Sequence, residues 1–379
     1  MTGSSTKDSI IVMKFGGTSV NSKKSRQHAI KHIRRNVESN KNVVVVVSAM
    51  GRKGDPYATD TLISLLKDVG EPVNPSELDS VMSIGENLSS AYFSHLLSMN
   101  GIPSIAFTGG QAGILTDDNP GNAKILEIDT SRILKALSQG KTPIVAGFQG
   151  VTTKGDVRTL GRGGSDTSAV ALGSSLGAEA IEIYSDVDGI ANCDPRLIPE
   201  ARFMGSVSIK QILSMANEGS KVIHPRAVNA SLKTKTEIVV RNTFNEQSGT
   251  KIFHNVHNHE SDQIALAHRD ELVLIEFDKK TYALKLIPEL IQLDDEKFLL
   301  KNDIYIKSRL KDLQKNFGKF KKEYDWATIS VVFDKPVTEI KNIQNTKIIK
   351  SNNNAICYLL KEDALSASIR ALYNHYIKP

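Results

Sequence analysis

The sequence predicts an α/β fold with a largely parallel central sheet sandwiched by helices, followed by a small α+β region. Unbroken apolar runs such as Val43–Val47 are typical of strands covered on both faces. These runs alternate with amphipathic helical stretches through about the first 250 residues. A polar, Asn-rich and His-rich stretch, Asn245–Asp262, follows, and beyond it glycine occurs only at Gly318. This change in composition indicates a second structural region.

Each element of the first region follows from a local pattern. The predicted strands are short apolar runs: Ile10–Phe15, Val43–Val47, Ser104–Phe107, Thr142–Phe148, Ala180–Ser185 and Glu237–Asn242. The predicted helices have apolar residues three or four positions apart: Ser25–Ser39, Thr61–Asp68, Glu77–Met99, Thr130–Gln139, Thr167–Leu176, Ile209–Glu218 and Pro225–Thr234. Ligands of such sheets bind beyond the carboxyl ends of the strands, so we expect functional residues in the segments that follow strands.

The remaining chain has fewer but similar patterns. The predicted strands are Leu272–Phe277, Thr328–Phe333 and Ala355–Leu360. The predicted helices are Leu284–Leu293, Arg309–Tyr324 and Ala364–Tyr376. We therefore divide the chain into a disordered tail (1–9), a larger domain (10–262) and a smaller one (263–379). The histidines near the boundary have irregular spacing, which favours a solvated linker over a metal site.

Composition narrows the class of protein. With 379 residues, 40% hydrophobic and 24% charged, the chain has an ordinary globular composition for about two domains. It contains neither an apolar run of membrane-spanning length nor a signal peptide, and two cysteines indicate a reducing, cytoplasmic compartment. The net charge of +6 suits nucleic acid or acidic small molecules. Lysines surround Phe317 and Phe320, but their spacing favours a buried helix face over a nucleic-acid surface.

The sharpest local feature, Lys-Phe-Gly-Gly-Thr-Ser-Val, begins at Lys14 directly after the first predicted strand. Gly16 and Gly17 let the backbone turn tightly and approach a ligand closely. Their N–H groups, with those of Thr18 and Ser19, suit an anion. Lys14 can neutralise charge on a transferring phosphoryl group. The alternative is a glycine turn with a surface lysine, because short glycine motifs are common.

A second glycine-rich segment, Thr159–Ser168, lies between a predicted strand and a predicted helix. It places Arg162 beside Gly163, and an arginine fork matches a carboxylate or phosphate. Ser165 and Asp166 are good helix N-caps, so an ordinary capped turn is the alternative. Two such segments in one α/β domain point to an anion site more strongly than either alone.

Two weaker features occur further along the chain. Ser185, Asp186 and Asp188 cluster after a predicted strand, which suits nucleotide ribose contacts or metal-linked water, or else a solvated turn. Lys221 can reach a phosphate, whereas His224 stands before a proline and is better explained by a structural role.

Together these segments resemble aspartate kinases, members of the amino acid kinase superfamily. The resemblance covers residues 10 to about 252, with the matching segments in the family's order: Lys14–Val20, Ser83–Glu86, Thr159–Asp166, Ser185–Arg196 and Gly219–Arg226. It implies a cytoplasmic enzyme with a substrate lobe followed by an ATP lobe. It also implies transfer of the ATP γ-phosphoryl to the side-chain carboxylate of L-aspartate, with Mg²⁺ held mainly by phosphates and water. This reaction is the first step toward the aspartate-derived amino acids, including lysine and threonine.

The resemblance implies a role for each matched residue. Lys14 would stabilise the phosphoryl group in flight, and Asp166 would hold Lys14. Glu86 would bind the α-ammonium of aspartate, and Arg162 its α-carboxylate. The other implied substrate contacts are Thr18, Ser19, Phe148, Gly163 and Ser165. The implied ATP contacts are Lys14, Gly16, Gly17, Ser185, Asp186, Arg196 and Lys221.

Two departures from the family pattern matter. Ala191 stands where the family usually has an aromatic residue near the adenine, which leaves nucleotide affinity open. Residues 263–379 are short for the two ACT domains (βαββαβ modules) that usually end these enzymes, so we expect a reduced ACT-like region that mainly mediates homodimerisation. We expect no nucleic-acid or membrane partner. A kinase of another small acidic amino acid and a non-catalytic regulatory subunit are the alternatives.

Overall fold

The structure is a computed structural model. It describes residues 9–51, 54–220, 223, 226–228, 236–253, 264–280, 290–302, 306–333, 340–352 and 354–378. The chain divides into two compact units, the first formed by Met1–Ile190, Phe203–Ile209 and Val222–Asn258. The second is formed by Ala191–Arg202, Lys210–Lys221 and His259–Pro379. Two segments of the larger predicted domain thus group with the C-terminal residues, and the domain boundary at 262 stays a prediction.

The first unit contains an eight-stranded and a four-stranded sheet. Its strands are β1 (Ile10–Phe15), β2 (Asn42–Val47), β3 (Ser104–Phe107), β4 (Ile114–Thr116), β5 (Ile125–Ile128), β6 (Thr142–Ala146), β7 (Gln149–Val151), β8 (Val157–Thr159), β9 (Ala180–Ser185), β10 (Ser206–Ser208), β11 (Glu237–Asn242) and β12 (Thr250–Phe253). The larger sheet has the order β10-β12-β11-β9-β1-β2-β6-β3 and is parallel except between β11 and β12. The smaller sheet has the order β5-β4-β7-β8. The predicted parallel sheet is confirmed.

Helices connect many successive strands of the larger sheet. They are α1 (Gly17–Val20), α2 (Lys23–Glu38), α3 (Thr59–Val69), α4 (Pro75–Met99), α5 (Ser131–Ser138) and α6 (Gly164–Ser175). A further helix, α7 (Ile209–Asn217), belongs from Lys210 onward to the second unit. Local sequence explains where the long helices begin. The Ser22 side chain accepts a hydrogen bond from the Ser25 N–H at the start of α2. Asn74 caps α4 in the same way, directly before Pro75.

The alternation of side chains along β1 sends successive residues to opposite faces of the sheet. Met13 and Phe15 belong to a core cluster with residues of α2 and α4. Val12 lies on the other face, where α6 approaches so closely that a Cβ at Gly173 would lie 3.4 Å from a Val12 methyl. Helices therefore cover both faces, as the unbroken apolar runs predict.

The second unit is built on a six-stranded antiparallel sheet. Its elements are β13 (Ile264–Phe277), β14 (Ile291–Gln292), β15 (Lys297–Lys301), α8 (Ile306–Phe317), β16 (Phe320–Phe333), β17 (Thr346–Asn352), β18 (Ala355–Lys361) and α9 (Leu365–Tyr376). The strand order is β14-β15-β13-β16-β18-β17. Ile369 and Leu372 of α9 pack with Ile329 and Val331 of β16. This arrangement confirms the predicted small α+β region.

Three predicted segments of the chain need correction. The helix predicted for Arg309–Tyr324 ends at Phe317, because Gly318 adopts a φ of +92° and Phe320 begins β16. Phe317 of the helix and Phe320 of β16 still pack against one cluster, but both are only partly buried, so the predicted buried helix face is wrong for Phe320. The helix predicted for Leu284–Leu293 is wrong at its end, which is β14; residues 281–289 lie outside the described part.

The predicted linker Asn245–Asp262 is also only partly right, because it contains β12, which pairs with β11. Residues 226–228 are helical, in line with the predicted helix Pro225–Thr234, of which the structure describes no more. Within the described ranges, the helices lack the combination of length and hydropathy that crossing a bilayer requires.

Candidate active site

The candidate site lies at the carboxyl ends of the central parallel strands. Hydrogen bonds join the segments that follow these strands. The Ser48 N–H donates to the Phe15 carbonyl at 3.1 Å, and the Gly147 N–H donates to the Val47 carbonyl at 3.0 Å. The Gly16 N–H donates to the carbonyl of Tyr184 at 3.2 Å. The segments after β1, β2, β6 and β9 therefore share one edge of the sheet, as parallel strand order requires.

An ion pair brings the two glycine-rich segments together. Lys14 follows Val12 by two positions on β1, so its side chain lies on the same face as α6. Its Nζ is 2.6 Å from Oδ1 of Asp166, in the first turn of α6, and both side chains are largely buried. A charged pair at this depth is screened little by solvent. Thus a cation projects from the first glycine segment and is oriented by the second.

The first glycine turn approaches its neighbours too closely for any larger residue at one position. A Cβ added to Gly17 would lie 2.8 Å from the Ala49 carbonyl oxygen and 3.2 Å from that of Gly51. A Cβ at Gly16 would lie 3.6 Å from Nζ of Lys14. The turn therefore lies directly beside both the lysine and the segment that follows β2.

Ser19 has a different environment from the one predicted for a substrate contact. It is fully buried, and its hydroxyl hydrogen-bonds the Thr243 hydroxyl at 2.6 Å. His32 Nε2 donates to the Thr243 carbonyl at 3.0 Å, and burial lowers the pKa of this histidine. These bonds fix α1 against α2 and the end of β11. Contact between Ser19 and a substrate stays a prediction.

Glu86 is a buried carboxylate on α4 with one free oxygen. Gly85 lets the helix approach the segment after β2, since a Cβ there would lie 2.8 Å from that of Ala49. Oε1 of Glu86 accepts the Ala49 N–H at 3.1 Å. Oε2 is buried and has no hydrogen-bond partner among the described residues. Burial raises the pKa of Glu86 to about 8. A cationic N–H donor beside Oε2 would counteract this shift and favour the ionised form of Glu86.

The second glycine segment begins α6 in a different way from the one predicted. Gly163 is the N-cap residue and has a left-handed φ of +69°, and the helix begins at Gly164. Ser165 and Asp166 therefore lie in the first turn, and the prediction that they cap the helix is wrong. Arg162 is exposed, and within the described ranges its guanidinium has no hydrogen-bond or ion-pair partner.

Phe148 lies against the start of α6, with a left-handed φ of +69°. Its N–H donates to the Ser168 hydroxyl at 3.1 Å, and its carbonyl accepts the Leu160 N–H at 2.8 Å. A Cβ at Gly164 would lie 2.7 Å from its ring. The structure thus places Phe148 beside the second glycine segment, together with Ser165.

The predicted nucleotide contacts after β9 lie at the same sheet edge. Ser185 ends β9, and Asp186 is exposed. Asp188 has a structural role, because its Oδ1 accepts side-chain hydrogen bonds from Asn242 at 2.6 Å and Asn245 at 2.7 Å. Among the described residues, no group of three or more His, Cys, Asp or Glu side chains is arranged to hold a metal ion.

The other two predicted nucleotide contacts are Arg196 and Lys221. Arg196 belongs to the second unit, where its guanidinium pairs with Asp194 at 2.6 Å. Ala191 is buried in that unit. Lys221 and His224, like the histidines predicted for the linker, lie outside the described residues. Their roles stay predictions.

Two groups that shape the candidate site were not predicted from the sequence. Ala49 supplies the N–H that holds Glu86, and a backbone donor leaves no trace in residue type. Asp79 of α4 is fully buried and hydrogen-bonds residues around the second glycine segment. Its spacing of seven from Glu86 places it on the same helix face, a pattern that was available from the sequence.

The fold and this arrangement match a known class of protein. A family model described as the amino acid kinase family matches residues 9–242. The chain therefore belongs to the amino acid kinase family.

Two curated proteins similar to this chain are named aspartokinases. Over 243 residues, this chain is 48% identical to aspartokinase 1 of Bacillus subtilis, which covers 64% of this chain and 60% of that protein. It is 44% identical to the aspartokinase of Geobacillus stearothermophilus, covering 64% of this chain and 58% of that protein. The chain thus spans about 60% of the length of these curated relatives.

Solved structures extend the likeness of fold to nearly the whole chain. The crystal structure of Escherichia coli aspartokinase III in complex with aspartate and ADP has a TM-score of 0.78 at 20% identity, covering 98% of this chain and all of that one. The crystal structure of aspartate kinase from Synechocystis has a TM-score of 0.58 at 28% identity, covering 97% of this chain and 69% of that one.

Proposed function

We propose that this chain is an aspartate kinase, which transfers the γ-phosphoryl group of ATP to the side-chain carboxylate of L-aspartate and forms 4-phospho-L-aspartate. The observation that carries the proposal is the 2.6 Å ion pair between Lys14 and Asp166, which joins two glycine-rich segments at one sheet edge. The aspartokinases among its relatives support the choice of substrate.

Recognition of the amino acid rests on two opposite charges. Glu86 offers a buried oxygen that lacks a donor among the described residues, and the α-ammonium of aspartate supplies one. Arg162 is unpaired within the described ranges, and its fork matches the α-carboxylate. A ligand that lacks either charge leaves its partner unsatisfied, which makes the site selective. The space between Glu86 and Arg162 would be lined by Thr18, Phe148 and Ser165.

The phosphoryl transfer needs positioning and charge neutralisation. The aspartate side chain is already an ionised nucleophile at neutral pH, so no strong general base is required. The obstacle is the approach of one anion to another, which cations and backbone donors relieve. Lys14 would neutralise the transferring group, while Gly16 and Gly17 would leave backbone N–H groups open to phosphate oxygens. Mg²⁺ would arrive with ATP, held mainly by its phosphates and by water.

The direct test traps the acyl phosphate product with hydroxylamine. Purified chain with MgATP and L-aspartate should form the hydroxamate, and Lys14→Ala should abolish it. Lys24→Ala, an exposed lysine on α2, is the matched control and should leave turnover unchanged. Folded wild-type protein without turnover would reject the proposal. Turnover with L-glutamate or another acidic amino acid, but not with aspartate, would assign a different specificity.

The assembly and setting of the protein are proposals as well. We propose a cytoplasmic homodimer formed through the second unit, acting at the first step toward aspartate-derived amino acids. Light scattering of the full chain should give twice the monomer mass of 41.5 kDa. A monomer at assay concentrations would contradict the dimer, and assays with added lysine and threonine would show whether either amino acid inhibits.

A further inference from the structure

A fully buried carboxylate, Asp79, has no part in the reaction as proposed. Its side chain is 0% exposed and lies on α4. The Gly121 N–H donates to both of its oxygens, at 2.9 and 3.0 Å. The Thr159 hydroxyl donates to Oδ1 at 2.6 Å. Hydrogen bonds to a charged acceptor are stronger than neutral ones, so this carboxylate holds two backbone segments firmly.

Asp79 thus ties the segment around Gly121 to Thr159, where the second glycine segment begins. Thr159 ends β8 and is three positions before Arg162. Its carbonyl also accepts the Ala123 N–H at 3.0 Å. Gly161 has a φ of +73°, and a Cβ there would lie 2.9 Å from the Gly121 carbonyl oxygen. The backbone that leads into the arginine is therefore packed directly against the segment that Asp79 holds.

The same helix carries the other half of the amino acid site. Asp79 and Glu86 are seven positions apart, which places them on one face of α4. At 1.5 Å per residue they are separated by roughly 10 Å along the helix axis. One rigid element thus carries Glu86, the proposed partner of the α-ammonium, and Asp79, which anchors the arginine-bearing segment.

We propose that Asp79 is a positioning residue that fixes Arg162 relative to Glu86 and thereby sets the span of the amino acid that the site accepts. This inference rests on the proposed function. Asp79 does not touch the substrate; it acts through the glycine segment. Its removal leaves the Gly121 N–H and the Thr159 hydroxyl unpaired, and the segment loses its fixed starting point.

The test measures kcat/KM for L-aspartate in three variants. Asp79→Ala should lower it by about 10- to 100-fold, the factor expected for loss of hydrogen bonds to a buried charge, mainly through KM. Asp79→Asn keeps one acceptor oxygen, and Thr159→Val removes one donor, so both should fall between Asp79→Ala and wild type. The KM for ATP should not change in any of them. If Asp79→Ala does not fold, the two milder variants carry the same comparison.

Double variants separate positioning from general damage. If Asp79 acts through Arg162, then Asp79→Ala combined with Arg162→Ala should be no worse than Arg162→Ala alone, within about twofold. Combined with Glu86→Gln, its effect should multiply, because the two carboxylates hold different groups. Multiplicative loss with Arg162→Ala, or an equal rise in the KM for ATP, would overturn the inference.

A readout without turnover keeps this inference distinct from the proposed function. Hydrogen exchange at the amides of Leu160 and Gly164 should be faster in Asp79→Ala than in wild type, because the segment has lost its anchor. Unchanged exchange would overturn the inference even in an active enzyme. Absence of aspartate phosphorylation by the wild type, with faster exchange in the variant, would count against the proposed function and leave the anchoring role of Asp79 established.

Discussion

Replacing Glu86 with glutamine should stabilise the protein at alkaline pH while weakening its site. The pKa of Glu86 is raised from 4.5 to about 8 by burial, so the folded protein keeps a proton that the unfolded chain releases. Wild-type stability therefore falls as the pH rises through this window. At about 1.4 kcal/mol per pKa unit, the loss reaches roughly 3–4 kcal/mol between pH 5 and pH 8. Glutamine keeps the acceptor for the Ala49 N–H and has no charge to bury.

The measurement is the free energy of unfolding in urea for wild type and Glu86→Gln at several pH values between 5 and 8. The unfolding free energy of the variant should exceed that of wild type by a margin that grows by roughly 3–4 kcal/mol between pH 5 and pH 8. Glu77→Gln, an exposed carboxylate on the same helix, should show no such trend. Parallel pH profiles for Glu86→Gln and wild type would refute the reasoning, because they would show that Glu86 is not desolvated.

Aspartate binding should favour the ionised form of Glu86, whereas folding favours the protonated form. An α-ammonium beside Glu86 favours the ionised form, so aspartate binding near pH 7 should release close to one proton from the wild type. Calorimetry in two buffers of different ionisation enthalpy counts that proton. The glutamine variant should release none and should bind aspartate at least about tenfold more weakly.

Three further outcomes follow from single contacts. Lys14→Ala should lower turnover by about a thousandfold or more, since the transferring group loses its cation, and should also lower the melting temperature, because the largely buried Asp166 loses its ion-pair partner; activity within tenfold of wild type in the hydroxamate assay would contradict this. Thr243→Val should lower the free energy of unfolding by roughly 1–3 kcal/mol, because it leaves a buried serine hydroxyl unpaired, and Thr243→Ser should restore it. Gly219→Ala should lower the melting temperature, since the residue has a φ of +111° and its Cβ would lie 2.4 Å from the His268 carbonyl oxygen, whereas Gly205→Ala, with open space around it, should be neutral.

The hydrophobic pattern predicts most long strands and helices of the fold. Runs such as Val43–Val47 predict buried parallel strands because no polar residue could be tolerated on either face. The short strands β4, β7 and β8 escaped prediction because three residues are too few to show a period. At the end of α8, Phe317 and Phe320 have helical spacing, but Gly318 between them stops the helix.

The positions of several candidate residues were predictable where residue type carries the chemistry. Lys14, Glu86 and Asp166 are charged residues in recognisable motifs, and the structure buries all or most of each side chain at the expected sheet edge. Geometry that depends on the backbone was not predictable. The Ala49 N–H that holds Glu86, and the left-handed Gly163 that replaces a side-chain cap, follow only from the path of the chain in three dimensions.

The uninterrupted length of α4 limits how the span of the proposed amino acid site can change. A helix lengthens only by whole residues, each of which adds about 1.5 Å and turns the following side chains by roughly 100°. Insertion of one residue between Asp79 and Glu86 would therefore rotate Glu86 away from the segment after β2 instead of widening the site. Under the proposed function, evolution toward a longer dicarboxylic amino acid would have to reshape the arginine-bearing turn, and engineers seeking a glutamate-accepting variant should begin there.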